Sequence, residues 1–274
     1  MAKDIRELLR FEDALPDPRA TPGVKSKGAA AKSVRATSGE LAELQEKLFA
    51  NGKLGDPRRV LLVLQGMDAS GKDGVVKHVV GQVNPAGCRI SSFGQPTEEE
   101  LAQDFLWRIT KAAPGPGMLG VFNRSHYEDV LIVRVHNSVP RSQSSRRFAR
   151  INSFEKSLAG SGCLIVKVFL HISPDEQQRR LLSRLDDKTK HWKIGATDVA
   201  ERRRWEDYQA AYLEALTRCS TDVAPWYVVP SDRKWYRDWA VSQLLLTHLR
   251  ELDLTWPTPA DVDLKAMRKE LLGP

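Results

Sequence analysis

The chain has 274 residues, of which 41% are apolar and 28% charged, enough for one large domain or two small ones and too much apolar content for a disordered or fibrous chain. Lysine and arginine number 42 against 35 acidic residues, and the net charge of +7 favours a polyanionic partner without saying which. Cys88, Cys163 and Cys219 lie far apart with no metal-ligand spacing, which fits a reducing compartment. The opening Met1-Ala2-Lys3-Asp4 lacks the apolar core of a secretion signal, and no apolar run approaches the roughly 20 residues needed to span a bilayer. The expectation is a cytoplasmic protein with no membrane partner.

Residues 1–57 differ in composition from the rest. Pro16 to Arg35 holds Pro16, Pro18, Pro22, Gly23 and Gly28 among Ala, Lys and Ser, and reads as an arm or linker. Thr37 and Glu40 have capping-box spacing, followed by Leu41, Leu44, Leu48 and Phe49 on one helical face, which predicts a docking helix. From Arg58 onward, short apolar runs alternate with amphipathic stretches, as in a parallel sheet covered by helices. The predicted strands are Val60 to Leu64, Cys88 to Phe93, Met118 to Phe122, Cys163 to Ile172 and Trp226 to Val229. Between them, Thr97 and Glu100 form a second capping box, and Ser173-Pro174 opens a helix with proline in its first position. The expected division is an arm with docking helix (1–57), an α/β core (58–255) with a helical lid near 175–204, and a tail (256–274).

The chemistry concentrates directly after the first strand. Gly66-Met67-Asp68-Ala69-Ser70-Gly71-Lys72-Asp73-Gly74 leads into an amphipathic helix bearing Val75, Val76, Val79 and Val83. Strand, glycine loop, lysine and helix in this order make a phosphate cradle: Gly66 and Gly71 permit tight turns, successive N–H groups from Ala69 to Gly74 point inward, and Lys72 adds a point charge. The spacing is that of a P-loop, except that Asp73 stands where serine or threonine is usual. Together with Asp68 it puts two carboxylates into a site built for anions, each repelling phosphate by a few kcal/mol at about 4 Å and an effective dielectric near 20. Bound Mg²⁺ held by Asp68 and Asp73 removes that conflict. The non-functional alternatives are a turn residue at Asp68 and a first-turn helix acid at Asp73.

Residues 60–74, the run Gly120-Val121-Phe122-Asn123-Arg124-Ser125-His126-Tyr127-Glu128-Asp129, Lys190-His191-Trp192-Lys193 and Trp226-Tyr227-Val228-Val229-Pro230 together resemble polyphosphate kinase family 2, over roughly residues 37 to 255. The resemblance implies a P-loop kinase core with a helical lid, and phosphoryl transfer between inorganic polyphosphate and a nucleotide with Mg²⁺. It implies that Arg124 clamps anions, that Tyr127 and Glu128 line the nucleotide side, and that Lys190 and Lys193 belong to the phosphate-binding lid; the non-functional alternatives are a helix-start surface charge for Arg124 and core packing for Tyr127. Glu128 matches the subgroup that accepts AMP as well as ADP, and family members tend to be oligomers. Asn123 departs from the aspartate often found there and is not assigned as a metal ligand.

Arg134, Arg141, Arg146, Arg147 and Arg150 occur between Arg134 and Phe154 without an acidic residue, and read equally as a polyanion track or a solvated helix face. Arg180 and Arg184 are four apart and share one helical face, which reads as a lid helix able to swing both guanidiniums onto the phosphates, or as i,i+4 pairs with neighbouring acids. His191 reads as lid surface, and Trp192 as the anchor of the lid. Asp232, Arg233 and Lys234 follow the last strand; the resemblance implies that this turn lies near the nucleotide, and Asp232 reads equally as a helix cap.

The reading is a kinase moving a terminal phosphoryl group between polyphosphate and ADP or AMP, with ATP as product or donor and Asp68, Lys72, Arg124, Arg180 and Arg184 as its catalytic residues. The alternatives are an ATP-dependent nucleoside or nucleotide kinase of the same fold, and a basic nucleic-acid-binding protein. The last lacks any recognition motif and any basic-aromatic interleaving, so no nucleic-acid partner is expected.

Overall fold

The structure is a computed structural model and describes residues 3–273. Five strands, β1 (Arg59–Gln65), β2 (Cys88–Ser92), β3 (Leu119–Asn123), β4 (Cys163–His171) and β5 (Trp226–Pro230), form one parallel sheet in the order β2-β3-β1-β4-β5. Central β1 is paired on both sides and covered on both faces, which is why its sequence is continuously apolar rather than alternating. Val60, Leu62 and Leu64 enter one core, and Leu61 and Val63 enter the other. Each expected strand is present, with ends displaced by a residue or so.

The first core is closed by α1 (Ile5–Leu9), α2 (Lys27–Lys53), α3 (Lys72–His78) and α11 (Lys234–Glu251). The second core lies under α5 (Trp107–Ala112), α6 (Glu128–Val135), α7 (Arg141–Gly160) and α10 (Trp205–Cys219). Short α4 (Glu98–Leu101), α8 (Pro174–Leu185), α9 (Ala196–Arg202), C-terminal α12 (Leu264–Leu272) and 3₁₀ turns at Val80–Gln82, Pro85–Gly87 and Lys188–Lys193 complete the described elements.

Two readings at the N-terminal side are corrected. The linker ends at Ser26, whose side chain accepts from the Ala29 N–H and starts α2, so residues 27–35 are helical. Ala and Lys are strong helix formers, and they outweigh Gly28. Thr37 therefore caps nothing, and its hydroxyl donates to the Ser33 carbonyl at 3.1 Å within the helix. The expected docking face is present: Leu41 and Leu48 are fully buried against the sheet layer. The Thr97–Glu100 capping box and the Ser173 cap form as read.

Candidate active site

Every chemically notable loop leaves the sheet at the carboxyl ends of its strands, where open parallel sheets bind ligands. There a cleft of about 750 Å³ is lined by nine basic side chains and three acidic ones. The loop from β1 to α3 forms its floor. Gly66 has φ +151° and Gly71 φ +113°, and a Cβ at Gly71 would stand 1.8 Å from the Arg237 guanidinium, so glycine is required for both conformation and space. Ala69 also has positive φ, at 63°. Gly74, at the start of α3, packs on Arg237 as well.

Lys72 is 8% exposed, and its ammonium donates to the Gly66 and Met67 carbonyls at 2.6 and 3.3 Å. Burial pulls its pKa below the usual lysine value, helped by the like charge of Arg124 and opposed by Asp68, Glu128 and Asp73. Arg124 leaves β3 with φ +61° and donates to Asp68 Oδ1 at 2.7 Å. Asp73 accepts from Asn123 at 2.9 Å and from Lys193 at 3.1 Å; burial raises its carboxyl, but these two partners outweigh it and the net shift is downward. Asp68 and Asp73 thus both line the cleft beside cations. They are hard oxygen donors of the kind that hold a divalent ion together with substrate phosphates and water. Among the described residues no third carboxylate, histidine or cysteine joins them to make a closed metal cage.

Glu128 starts α6 near Lys72 and Arg124, and burial raises its carboxyl above the usual value, a push those two cations only partly offset. Tyr127 does not line the nucleotide side as expected. It is fully buried, with its hydroxyl donating to Glu155 at 2.8 Å, because the turn after β3 points it into the second core.

The two lid arginines part company. Arg180 is 6% exposed and braces the loop rather than swinging over it: Nη1 donates to the Ala69 and Ser70 carbonyls at 2.9 Å, Nη2 to Ser231 and Asp232, and Nε to Glu176 at 2.7 Å. Its face of α8 packs against the loop, and so all its donors are used. Arg184, one turn on and half-buried, donates to the Lys193 carbonyl at 2.9 Å and tethers the 3₁₀ turn. Lys193 reaches Asp73, while Lys190 pairs with Asp187 at 2.7 Å. Trp192 is 78% exposed and anchors nothing; its indole N–H only meets the Thr189 carbonyl. His191 is exposed, as read.

In the arginine run, Arg147 binds Asp129, Arg150 binds Asp104 at 2.7 Å and Arg134 pairs with Glu214, while Arg146, Arg147 and Arg150 also line a separate cleft with Arg108. Asp232 neither caps α11 nor faces the cleft; its carboxylate accepts from the Ser173 N–H and hydroxyl at 2.8 and 2.7 Å, fastening β5 to the start of α8. Of the turn after β5, Lys234 lines the cleft, as do Lys77 and Arg237, which were not singled out from the sequence. Lys77 sits among ordinary surface-type charges and Arg237 in a largely core helix, so neither carries a local signal.

A parallel sheet of this order with a glycine loop, a buried loop lysine and a basic cleft defines a P-loop phosphotransferase. Residues 24–255 match the family model described as Polyphosphate kinase 2 (PPK2), and the chain belongs to that family. It is 47% identical over 254 residues to the AMP/ADP-polyphosphate phosphotransferase of Meiothermus ruber, covering 92% of each chain. It is 42% identical over 247 residues to the ADP-polyphosphate phosphotransferase of Rhodopseudomonas palustris, covering 85% of this chain and 84% of that one. The crystal structure of Polyphosphate Kinase 2 from Arthrobacter aurescens TC1 superposes with a TM-score of 0.95 at 50% identity, over 100% of this chain and 98% of the other.

Proposed function

We propose that the protein transfers a terminal phosphoryl group, reversibly, between inorganic polyphosphate and both ADP and AMP. The observation that carries this reading is the composition of one cleft: a P-loop floor and nine basic side chains against three acids, a surplus suited to two polyanions at once. The names of the relatives from Meiothermus ruber and Rhodopseudomonas palustris support it.

In this reading the chain's main work is placement and charge neutralisation, since phosphoryl transfer asks little covalent chemistry of the protein. The loop N–H groups and Lys72 hold one phosphate, and Arg124 faces the phosphoryl group in flight. Arg184, Lys190 and Lys193 bring charge from the lid, and Arg180 keeps the loop in shape. Asp68 and Asp73 would hold Mg²⁺, which would supply positive charge to neutralise the reacting phosphates. Glu128, beside Lys72 and Arg124 though not among the residues lining the cleft, is assigned to the acceptor side. The acceptor phosphate is already ionised near neutral pH, so no general base is required of Asp68.

The same reading makes the protein a cytoplasmic homo-oligomer without nucleic-acid or membrane partners. Three free thiols support the reducing compartment, and no helix among the described residues is long and apolar enough to cross a membrane.

Incubation with polyphosphate, Mg²⁺ and either AMP or ADP, without ATP, tests the proposal: chromatography should show ADP and ATP formed from AMP, and ATP from ADP. Absence of product from both acceptors refutes it; product from ADP alone removes AMP from the reading.

A further inference from the structure

Behind the turn that carries Arg124 and Glu128 lies a fully buried charged cluster that touches no part of the cleft. Lys167 and Glu155 are 0% and 1% exposed and pair at 2.6 Å. The three N–H bonds of Lys167 reach Glu155 Oε2, the Tyr127 hydroxyl at 2.8 Å and the Cys219 carbonyl at 2.6 Å. Glu155 Oε1 accepts from the Tyr127 hydroxyl at 2.8 Å and is 3.1 Å from His126 Nε2. Two consecutive residues of the turn are therefore fastened to one carboxylate, with Trp226 and Tyr127 packed around the ammonium.

Core stability does not account for the arrangement. Removing two full charges from water is costly, and a pair of apolar side chains of similar volume commonly packs as stably. By strand alternation, position 167 falls between Ile165 and Phe169 on the face of the second core, where a branched aliphatic residue is the ordinary occupant. What the charged pair supplies instead is fixed direction for the turn. Arg124 stands in a left-handed conformation, the Ser125 hydroxyl takes the Tyr127 N–H at 3.2 Å, and Glu128 follows at once. A side chain that must reach from this turn to a phosphate needs its backbone held against rotation.

We infer that the Glu155–Lys167 pair is a positioning unit for phosphoryl transfer: through His126 and Tyr127 it sets the direction of Arg124 and Glu128 without touching substrate. This rests on the proposed role of Arg124 in the cleft.

The test compares four proteins: wild type, Arg124→Ala, the apolar double variant Glu155→Leu/Lys167→Met, and the three changes combined. Each is assayed for kcat and nucleotide KM with polyphosphate and Mg²⁺, and for Tm. The double variant should still unfold cooperatively, at a Tm lowered by the unpaired Tyr127 hydroxyl, His126 Nε2 and Cys219 carbonyl, yet lose kcat in the folded protein by about 10- to 100-fold, the scale of a displaced catalytic group, with KM nearly unchanged. Added to Arg124→Ala, the same two changes should cost much less than they do alone, because one of the two groups they direct is gone. Full kcat in the double variant, or a loss that multiplies with that of Arg124→Ala, overturns the inference. An Arg124→Ala protein as active as wild type instead removes the reading of the cleft on which it stands. If the double variant does not fold, Tyr127→Phe carries the test, since it removes one shared hydroxyl: several-fold lower kcat at unchanged KM supports the coupling, and wild-type kcat refutes it.

Discussion

Lys72 and Glu128 carry the clearest consequences at the scale of single residues. Lys72 is a buried cation whose ammonium lies across its own loop, so Lys72→Met keeps the stem's packing and removes only the charge. We expect kcat to fall by roughly 10²–10³-fold, as when a preorganised charge is removed from a developing anion, with little change in Tm. A variant within threefold of wild type would place the phosphate elsewhere. Glu128 offers a pH test. Its carboxyl is raised by burial, so it gains its proton on acidification sooner than a free glutamate does. If its negative charge holds Arg124 in place, activity drops as pH falls through a value above 4.5, and Glu128→Gln moves that acid limb to lower pH at reduced maximal rate. An acid limb identical in the two proteins counts against any role for its ionisation.

Helix α8 shows how one element divides two tasks that its sequence presents as equivalent. Arg180 and Arg184 share a helical face, but only about the first two turns of that face are pressed onto the loop, where Gln177 also donates to the Asp68 carbonyl at 3.0 Å. Arg180→Met leaves the Ala69, Ser70, Ser231 and Asp232 carbonyls without this donor, while Glu176 keeps Arg179, and should cost at least about 1–3 kcal/mol in urea unfolding for the unsatisfied buried acceptors. Arg184→Ala frees the 3₁₀ turn instead, and should lower kcat while shifting stability by less than about 1 kcal/mol. Equal destabilisation by both substitutions would erase the distinction. The pattern 180/184 was legible in the sequence; which of the two is buried was not, because helical spacing gives the shared face and not where along it the neighbouring loop ends.

Over the whole molecule, the two chain ends differ in kind. Ile5 and Leu9 lie in the first core and Phe11 in the second, while the Asp232 N–H donates to Pro18 O and the Tyr236 hydroxyl to Pro22 O. Each such buried side chain contributes about 1.5–3 kcal/mol, so a chain starting at Ser26 should melt roughly 5 °C or more below the full chain. Helix α12 buries no residue, and Leu264, Met267, Leu271 and Leu272 are exposed. Removing residues 258–274 should leave the monomer fold and its Tm within about 2 °C. A truncation at the C-terminal side that melts as early as the N-terminal one would show that α12 is covered, and sedimentation of both truncated proteins tells whether a second copy covers it.

The amino-acid sequence alone determined the α/β class, all five strands, the glycine loop with Lys72 and its two carboxylates, and the family, because each of these is written in local spacing and in which residue types stand side by side. It misjudged where α2 begins, since proline and glycine mark loop ends only until helix-forming neighbours outvote them. Tertiary structure decided the rest. Tyr127 turned inward, Trp192 turned outward, Arg237 arrived under Gly71, and Lys167 met Glu155 inside the sheet layer. Those outcomes depend on groups far apart in the chain meeting in a low-dielectric interior, where a charge persists only if distant partners satisfy it, and no local pattern encodes which partners will arrive.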